Sequence, residues 1–101
     1  MSHGKSVRMD KFTVVFHPNS RGGQRFAVVV SKKIFKSAVA RNRIRRRVYE
    51  TIRTNLPTTA IDRVFIINSR EVATMPQLEL TDSIRALLTK TSKAAKIKKT
   101  E

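Results

Sequence analysis

The stretch Arg25–Arg53, RFAVVVSKKIFKSAVARNRIRRRVYETIR, together with Arg63–Asn68, RVFIIN, decides the fold. Arg25–Ser31 alternates. Phe26, Val28 and Val30 point one way, and Ala27, Val29 and Ser31 the other, the period of a half-buried strand. From Ala38 the period becomes helical. Ile44, Val48 and Ile52 lie at i, i+4 and i+8 with Ala40 and Thr51 beside them, which predicts a helix over Ala38–Arg53. Arg63–Asn68 is an apolar, β-branched run, read as a buried strand. Strand, helix and strand in series imply a crossover connection.

Working outward, Lys11–His17 is a second alternating strand, with Phe12, Val14 and Phe16 on one face and Thr13, Val15 and His17 on the other. Pro18–Gly23, PNSRGG, has turn chemistry, so this strand and Arg25–Ser31 are expected to pair as a hairpin. Lys5–Met9 suggests a short strand before them. Leu56–Thr59 closes the helix with a proline turn. Pro76–Thr91 predicts a second helix, with Pro76 at its first position and Leu80, Ile84, Leu87 and Leu88 on its apolar face, Leu78 nearby. The expected fold class is α+β: a small sheet of about four strands with helices packed on it, in the order β-β-β-α-β-α. Residues 1–92 make one domain. Residues 93–101 make a lysine-rich C-terminal tail, expected to be flexible.

The chain has 101 residues and a net charge of +15, so it holds one core and calls for an anionic partner. The charge is concentrated. Residues 31–53 hold nine basic residues and one acid, whereas residues 54–89 are nearly neutral. There is no Cys, which removes disulfide scaffolds and thiolate chemistry. His3 and His17 stand far apart, and the phosphate-loop, HExxH and GxSxG patterns are all missing. No catalytic residue and no dedicated metal ligand set is expected. No apolar run approaches a membrane span and the N-terminus lacks a secretory core, so a cytoplasmic protein is expected.

Six arginines fall between residues 41 and 53. A guanidinium fork suits phosphate, and like charges at i, i+4 destabilise a free helix, so the pattern favours a bound polyanion. On the helical wheel Asn42, Arg45, Arg46, Tyr49 and Arg53 lie opposite the apolar stripe, with Arg43, Arg47 and Glu50 on a third flank. Arg41 falls near the stripe and is expected to reach past the helix start, its stem packed and its head free. Tyr49 is suited either to stacking on a base or to packing its ring at the helix edge. The sheet face of Thr13, Val15, Ala27, Val29 and Ser31 is either open to a ligand or covered by a helix.

Ser31-Lys32-Lys33, Lys36, Ala38-Val39, Arg41-Asn42-Arg43-Ile44-Arg45-Arg46 and Glu50 resemble the RNR motif of the bacterial ribonuclease P protein family. Gly4-Lys5-Ser6-Val7 resembles the family's first strand. The resemblance implies a protein subunit that binds a large catalytic RNA and assists removal of the 5′ leader from precursor tRNA. The RNA, with magnesium bound to it, would carry the chemistry. It also implies a left-handed β-α-β crossover, against the usual right-handed rule. Lys32, Lys33, Lys36, Arg41, Asn42, Arg43, Arg45, Arg46 and Arg53 are the candidate contacts to the catalytic RNA. Thr13, Val15, Ala27, Val29, Ser31, Arg41 and Tyr49 are the candidate leader cleft. Neither a membrane nor an obligate protein partner is expected. The chain departs from the family in three places. The usual N-terminal helix is expected to be missing, Val15 stands where a cleft aromatic is common, and Tyr49 replaces an arginine. The alternative is a ribosomal or other structural RNA-binding protein with no role in cleavage. A membrane-surface protein is disfavoured, because the sheet needs the helix's apolar stripe.

Overall fold

Alternation along the strands sorts the sheet into an apolar face and a mixed face, and the apolar face takes both helices. The computed structural model describes residues 5–9, 11–18, 24–56 and 61–99, with side chains as far as residue 94. Its elements are β1 (Lys5–Arg8), β2 (Phe12–Pro18), β3 (Arg25–Val30), α1 (Ala38–Arg53), β4 (Ile61–Ile67), a 3-10 turn (Arg70–Thr74) and α2 (Gln77–Lys99). The α+β class and the element order agree with expectation.

The strand pairing does not. The sheet order is β1-β2-β4-β3, so β2 and β3 are not neighbours and form no hairpin. β4 lies between them, antiparallel to β2 and parallel to β3. The physical reason is burial: β4 is the most buried of the strands, with Ile61, Arg63, Phe65 and Ile67 turned inward, and takes a central place, where both of its edges are hydrogen-bonded. The lead-in and α1 supply the length that a parallel crossover from β3 requires. Residues 19–23, the expected hairpin loop, and residues 57–59, the expected proline turn, lie outside the described residues.

Phe12, Val14 and Phe16 of β2, Val28 of β3, and Phe65 and Ile67 of β4 form the sheet side of the core. Ile44, Val48 and Ile52 of α1 and Leu80, Ile84, Leu87 and Leu88 of α2 cover them. Each fully buried aliphatic side chain contributes about 1.5–3 kcal/mol. Arg63 sits in the same layer, only 2% exposed. Its Nε donates to Thr91 Oγ1 at 2.8 Å, Nη1 to Gln24 Oε1 at 3.2 Å and Nη2 to Ser92 Oγ at 3.0 Å. Burial pulls its pKa down to about 10, which leaves it cationic at neutral pH.

Two boundaries move, and one leucine expected near the apolar face turns outward. Pro76 stands just before α2 and accepts the Leu80 N–H at 2.9 Å, so it is not the first helical residue. Leu78 is 75% exposed, because two residues from Leu80 is roughly 200° around the helix. The backbone of the lysine-rich tail continues α2 to Lys99, past the expected end at Thr91.

Candidate nucleic-acid interface

Ser37 caps α1: its Oγ accepts the Ala40 N–H at 3.2 Å, the usual N-cap bond. Ile44, Val48, Thr51 and Ile52 turn inward as the wheel requires. Asn42, Arg43, Arg45, Arg46, Tyr49 and Arg53 are exposed. Arg43 and Arg46 have no bonded partner among the described residues. Arg45 donates through Nη2 to Asn42 Oδ1, which orients both side chains along the helix surface. Arg53 donates to Glu50 Oε1 through Nε at 3.1 Å and Nη2 at 2.7 Å. That bond holds the Glu50 carboxyl below its ordinary pKa and raises that of Arg53.

Arg41 does reach past the helix start, but its head is engaged. Nη1 donates to the Phe35 and Lys36 carbonyls, each at 2.9 Å. Arg41 therefore ties down the loop that carries Lys32, Lys33 and Lys36. Ser31 has left β3 and holds the other end of that loop. Its Oγ accepts the Lys33 N–H at 3.0 Å, and its carbonyl accepts those of Ile34 and Phe35. All three lysines remain exposed. Arg47 is also structural: it donates to the Met75 carbonyl, to Val72 O at 3.3 Å and to Gln77 Oε1 at 3.1 Å.

Two depressions flank this surface. One, of about 390 Å³, lies between β3 and α1 and is lined by Phe26, Ala27, Val28, Asn42, Arg45, Arg46 and Tyr49. The other, of about 520 Å³, is lined by Val39, Asn42, Arg43, Arg46, Arg47 and Glu50. Asn42 and Arg46 wall both. Tyr49 packs its ring on Phe26, with centroids 4.6 Å apart and planes inclined by 36°, yet stays 42% exposed. Its ring is thus both a packing contact and a wall of the groove.

The sheet face away from the helices is open. Register sets Ser6, Val15, Val64 and Ala27 in one row across it, and Arg8, Thr13, Ile66 and Val29 in the next. Val15, Val64 and Val29 are 36%, 37% and 45% exposed, so β4 is buried on one face and not on both. Thr13 Oγ1 accepts from Asn68 Nδ2 at 2.7 Å. His17 Nε2 lies 3.8 Å from Asp62, with Arg25 beside Asp62 in register.

Of the cleft candidates, Thr13, Val15, Ala27 and Val29 share the open face, and Ala27 and Tyr49 share the groove. Ser31 lies in the lead-in loop, and Arg41, in the first turn of α1, bonds the carbonyls of that loop. Sequence reasoning missed Val64 and Ile66. Their alternation was legible in Arg63–Asn68, but the neighbour that would expose them was not.

A family model described as Ribonuclease P matches residues 1–92. The chain belongs to the ribonuclease P protein family. Among ribonuclease P protein components, that of Chloroflexus aurantiacus is 45% identical over 73 residues, covering 70% of this chain and 53% of the relative. That of Chloroflexus aggregans is 38% identical over 87 residues, covering 84% and 64%. The chain thus spans between half and two thirds of the length of these curated relatives. The RNase P protein of Staphylococcus aureus superposes with a TM-score of 0.71 at 27% identity, over 87% of this chain and 81% of that one. The RNase P protein of Thermotoga maritima superposes with a TM-score of 0.73 at 26% identity, over 87% and 84%. The four-strand sheet with two helices that superposes on these proteins is the scaffold on which this arginine-rich surface stands. Among the described residues, no group of three or more His, Cys, Asp or Glu side chains forms a metal site. No helix there is long and apolar enough to cross a membrane.

Proposed function

We propose that this chain is the protein subunit of ribonuclease P. It binds the catalytic RNA and the 5′ leader of precursor tRNA, and assists magnesium-dependent endonucleolytic removal of that leader in the cytoplasm. The observation that carries this reading is the outward flank of α1 in a chain of this family. Arg43 and Arg46 stand unbonded, and Arg45 is oriented by Asn42, beside an open sheet face.

The work of such a surface is electrostatic. Lys32, Lys33, Lys36, Arg43, Arg45 and Arg46 neutralise RNA phosphates and release counterions. Asn42 donates and accepts beside them. Arg53 contributes less, because Glu50 offsets its charge, and Arg41 acts by holding the lysine loop. The leader, as a single strand, would cross the groove at Tyr49 and Ala27 and run over Val29, Thr13 and Val15. The small and apolar side chains along that path suit bases rather than phosphates. Magnesium is assigned to the RNA, as the family resemblance implies, and no step is attributed to it on the protein.

Reconstitution tests the reading. The full chain, mixed in equal amount with the cognate ribonuclease P RNA, should lower the magnesium needed for precursor cleavage and tighten precursor binding. With about six phosphates contacted, log affinity for the RNA should fall with log salt at a slope near −4. Absence of both effects on cleavage and precursor binding sinks the proposal.

A further inference from the structure

One wall of the cavity at the start of α1 comes from outside the arginine-rich motif. The cavity measures about 390 Å³. Lys33, Lys36, Ser37 and Arg70 line it, with Ile34, Phe35 and Ala40 as its apolar part. Arg70 lies far along the chain, at the first position of the 3-10 turn after β4.

We propose that Lys33, Lys36 and Arg70 form a pocket for one phosphodiester of the catalytic RNA, with Arg70 as an RNA contact that the motif itself does not contain. The inference deepens the functional reading above and rests on it.

Both walls are held in place before any ligand arrives. The lysine wall is pinned by the Ser31 turn at one end and by Arg41 on the Phe35 and Lys36 carbonyls at the other. The Arg70 wall is pinned from two sides. Ser69 Oγ accepts the Glu71 N–H at 3.1 Å, and Arg47 of α1 grips the Val72 and Met75 carbonyls. Arg47 thereby sets the distance between Arg70 and the start of α1. Pre-set donors lose little freedom when they bind, which favours affinity.

The charge is unbalanced. No acid lines the cavity. The nearest in sequence, Glu71, pairs with Lys11 at 3.4 Å. The side chains of Lys33, Lys36 and Arg70 have no bonded partner among the described residues. Three like charges drawn to one concavity repel one another, and a bound anion relieves the repulsion. The planar fork of Arg70 can take two phosphate oxygens together, while the two ammonium groups act as point charges.

The test is a salt titration of the full chain against the cognate catalytic RNA and, separately, against ribosomal RNA. Arg70→Ala is compared with Arg85→Ala, which removes the same charge from α2, where Arg85 bonds Asn55 at 3.0 Å. Arg70→Ala should weaken binding by about tenfold and make the log–log slope shallower by about one, with unchanged melting. Arg70→Lys should keep the slope and lose part of the affinity. If Arg70→Ala behaves as Arg85→Ala does on both RNAs, the pocket is not a contact and the inference falls. If wild-type protein shows no preference for the catalytic RNA, the functional reading falls instead. The comparison of slopes on ribosomal RNA then decides whether the pocket holds RNA phosphate at all, and an Arg70 effect confined to ribosomal RNA overturns the assignment to catalytic RNA.

Discussion

Arg46 and Arg47 are neighbours in sequence and differ in almost everything else. Arg46 is exposed, has no bonded partner among the described residues, and walls two depressions. Arg47, roughly 100° further around the helix, is half-buried and spends its donors on Val72, Met75 and Gln77. Arg43 is set like Arg46, and Arg41 is set like Arg47. The comparison teaches that a count of arginines in the motif overstates its phosphate ligands. Some of the charge faces outward as ligand, and some is used to hold the loops that carry other ligands. Arg63 is the extreme of the inward kind, sealed between β4 and α2 with three neutral acceptors.

Arg63 therefore gives the largest expected effect. Arg63→Ala leaves a cavity and removes three hydrogen bonds, and should cost about 3 kcal/mol in urea unfolding. Arg63→Met fills the space without a buried charge. Thr91 Oγ1 still donates to Leu87 O, so that variant should lose less than half as much. Equal losses would show that the guanidinium bonds, not the volume, hold α2 to the sheet.

The next effect separates the two flanks of α1. Arg47→Ala strips donors from two half-buried carbonyls and should cost about 2 kcal/mol of stability. The salt slope on RNA should not move. Arg45→Ala combined with Arg46→Ala should do the reverse. The slope should become shallower by about one to two, while stability stays within a few tenths of a kcal/mol or rises slightly as like-charge repulsion is relieved. Unfolding and salt titration on the same preparations check both. An Arg47 variant that flattens the slope at full stability breaks the distinction between flanks.

The helix faces were legible because their period is local. Ile44, Val48 and Ile52 declared the buried stripe, and the one-sided charge opposite it declared a polyanion. The sheet was legible residue by residue, since the parity of Phe12, Val14 and Phe16 and of Phe26, Val28 and Val30 holds in the structure. What failed was the pairing. A glycine-rich loop between two strands looks the same whether or not a third strand later inserts between them, and β4 inserts from thirty residues downstream. The same long-range step hid Val64 and Ile66 on the open face, Arg70 beside Lys33 and Lys36, and the acceptors of Arg47. Arg41 was the exception. Its misfit on the wheel is a local signal, and it pointed to a side chain that reaches past the helix start.

The smallest expected effect tests whether Arg53 belongs with the outward group. Both Arg53 and Glu50 are exposed, and each offsets the other's charge. Removing the carboxylate by Glu50→Gln frees Arg53 without touching its backbone. If Arg53 reaches an RNA phosphate, the salt slope should steepen by less than one, because a contact previously offset becomes whole. If the slope stays the same, Arg53 lies beyond the interface and the outward group ends at Tyr49. The pH dependence checks that the pair exists in solution. The Arg53 hydrogen bond lowers the Glu50 pKa in the folded chain, so its contribution is present above the ordinary carboxylate pKa and is lost as pH falls through the lowered value. The stability difference between wild type and Glu50→Gln should therefore be seen at about pH 7 and fade as pH falls below the ordinary carboxylate pKa of about 4.3. A difference that persists in acid would mean that Glu50 acts through something other than its charge on Arg53.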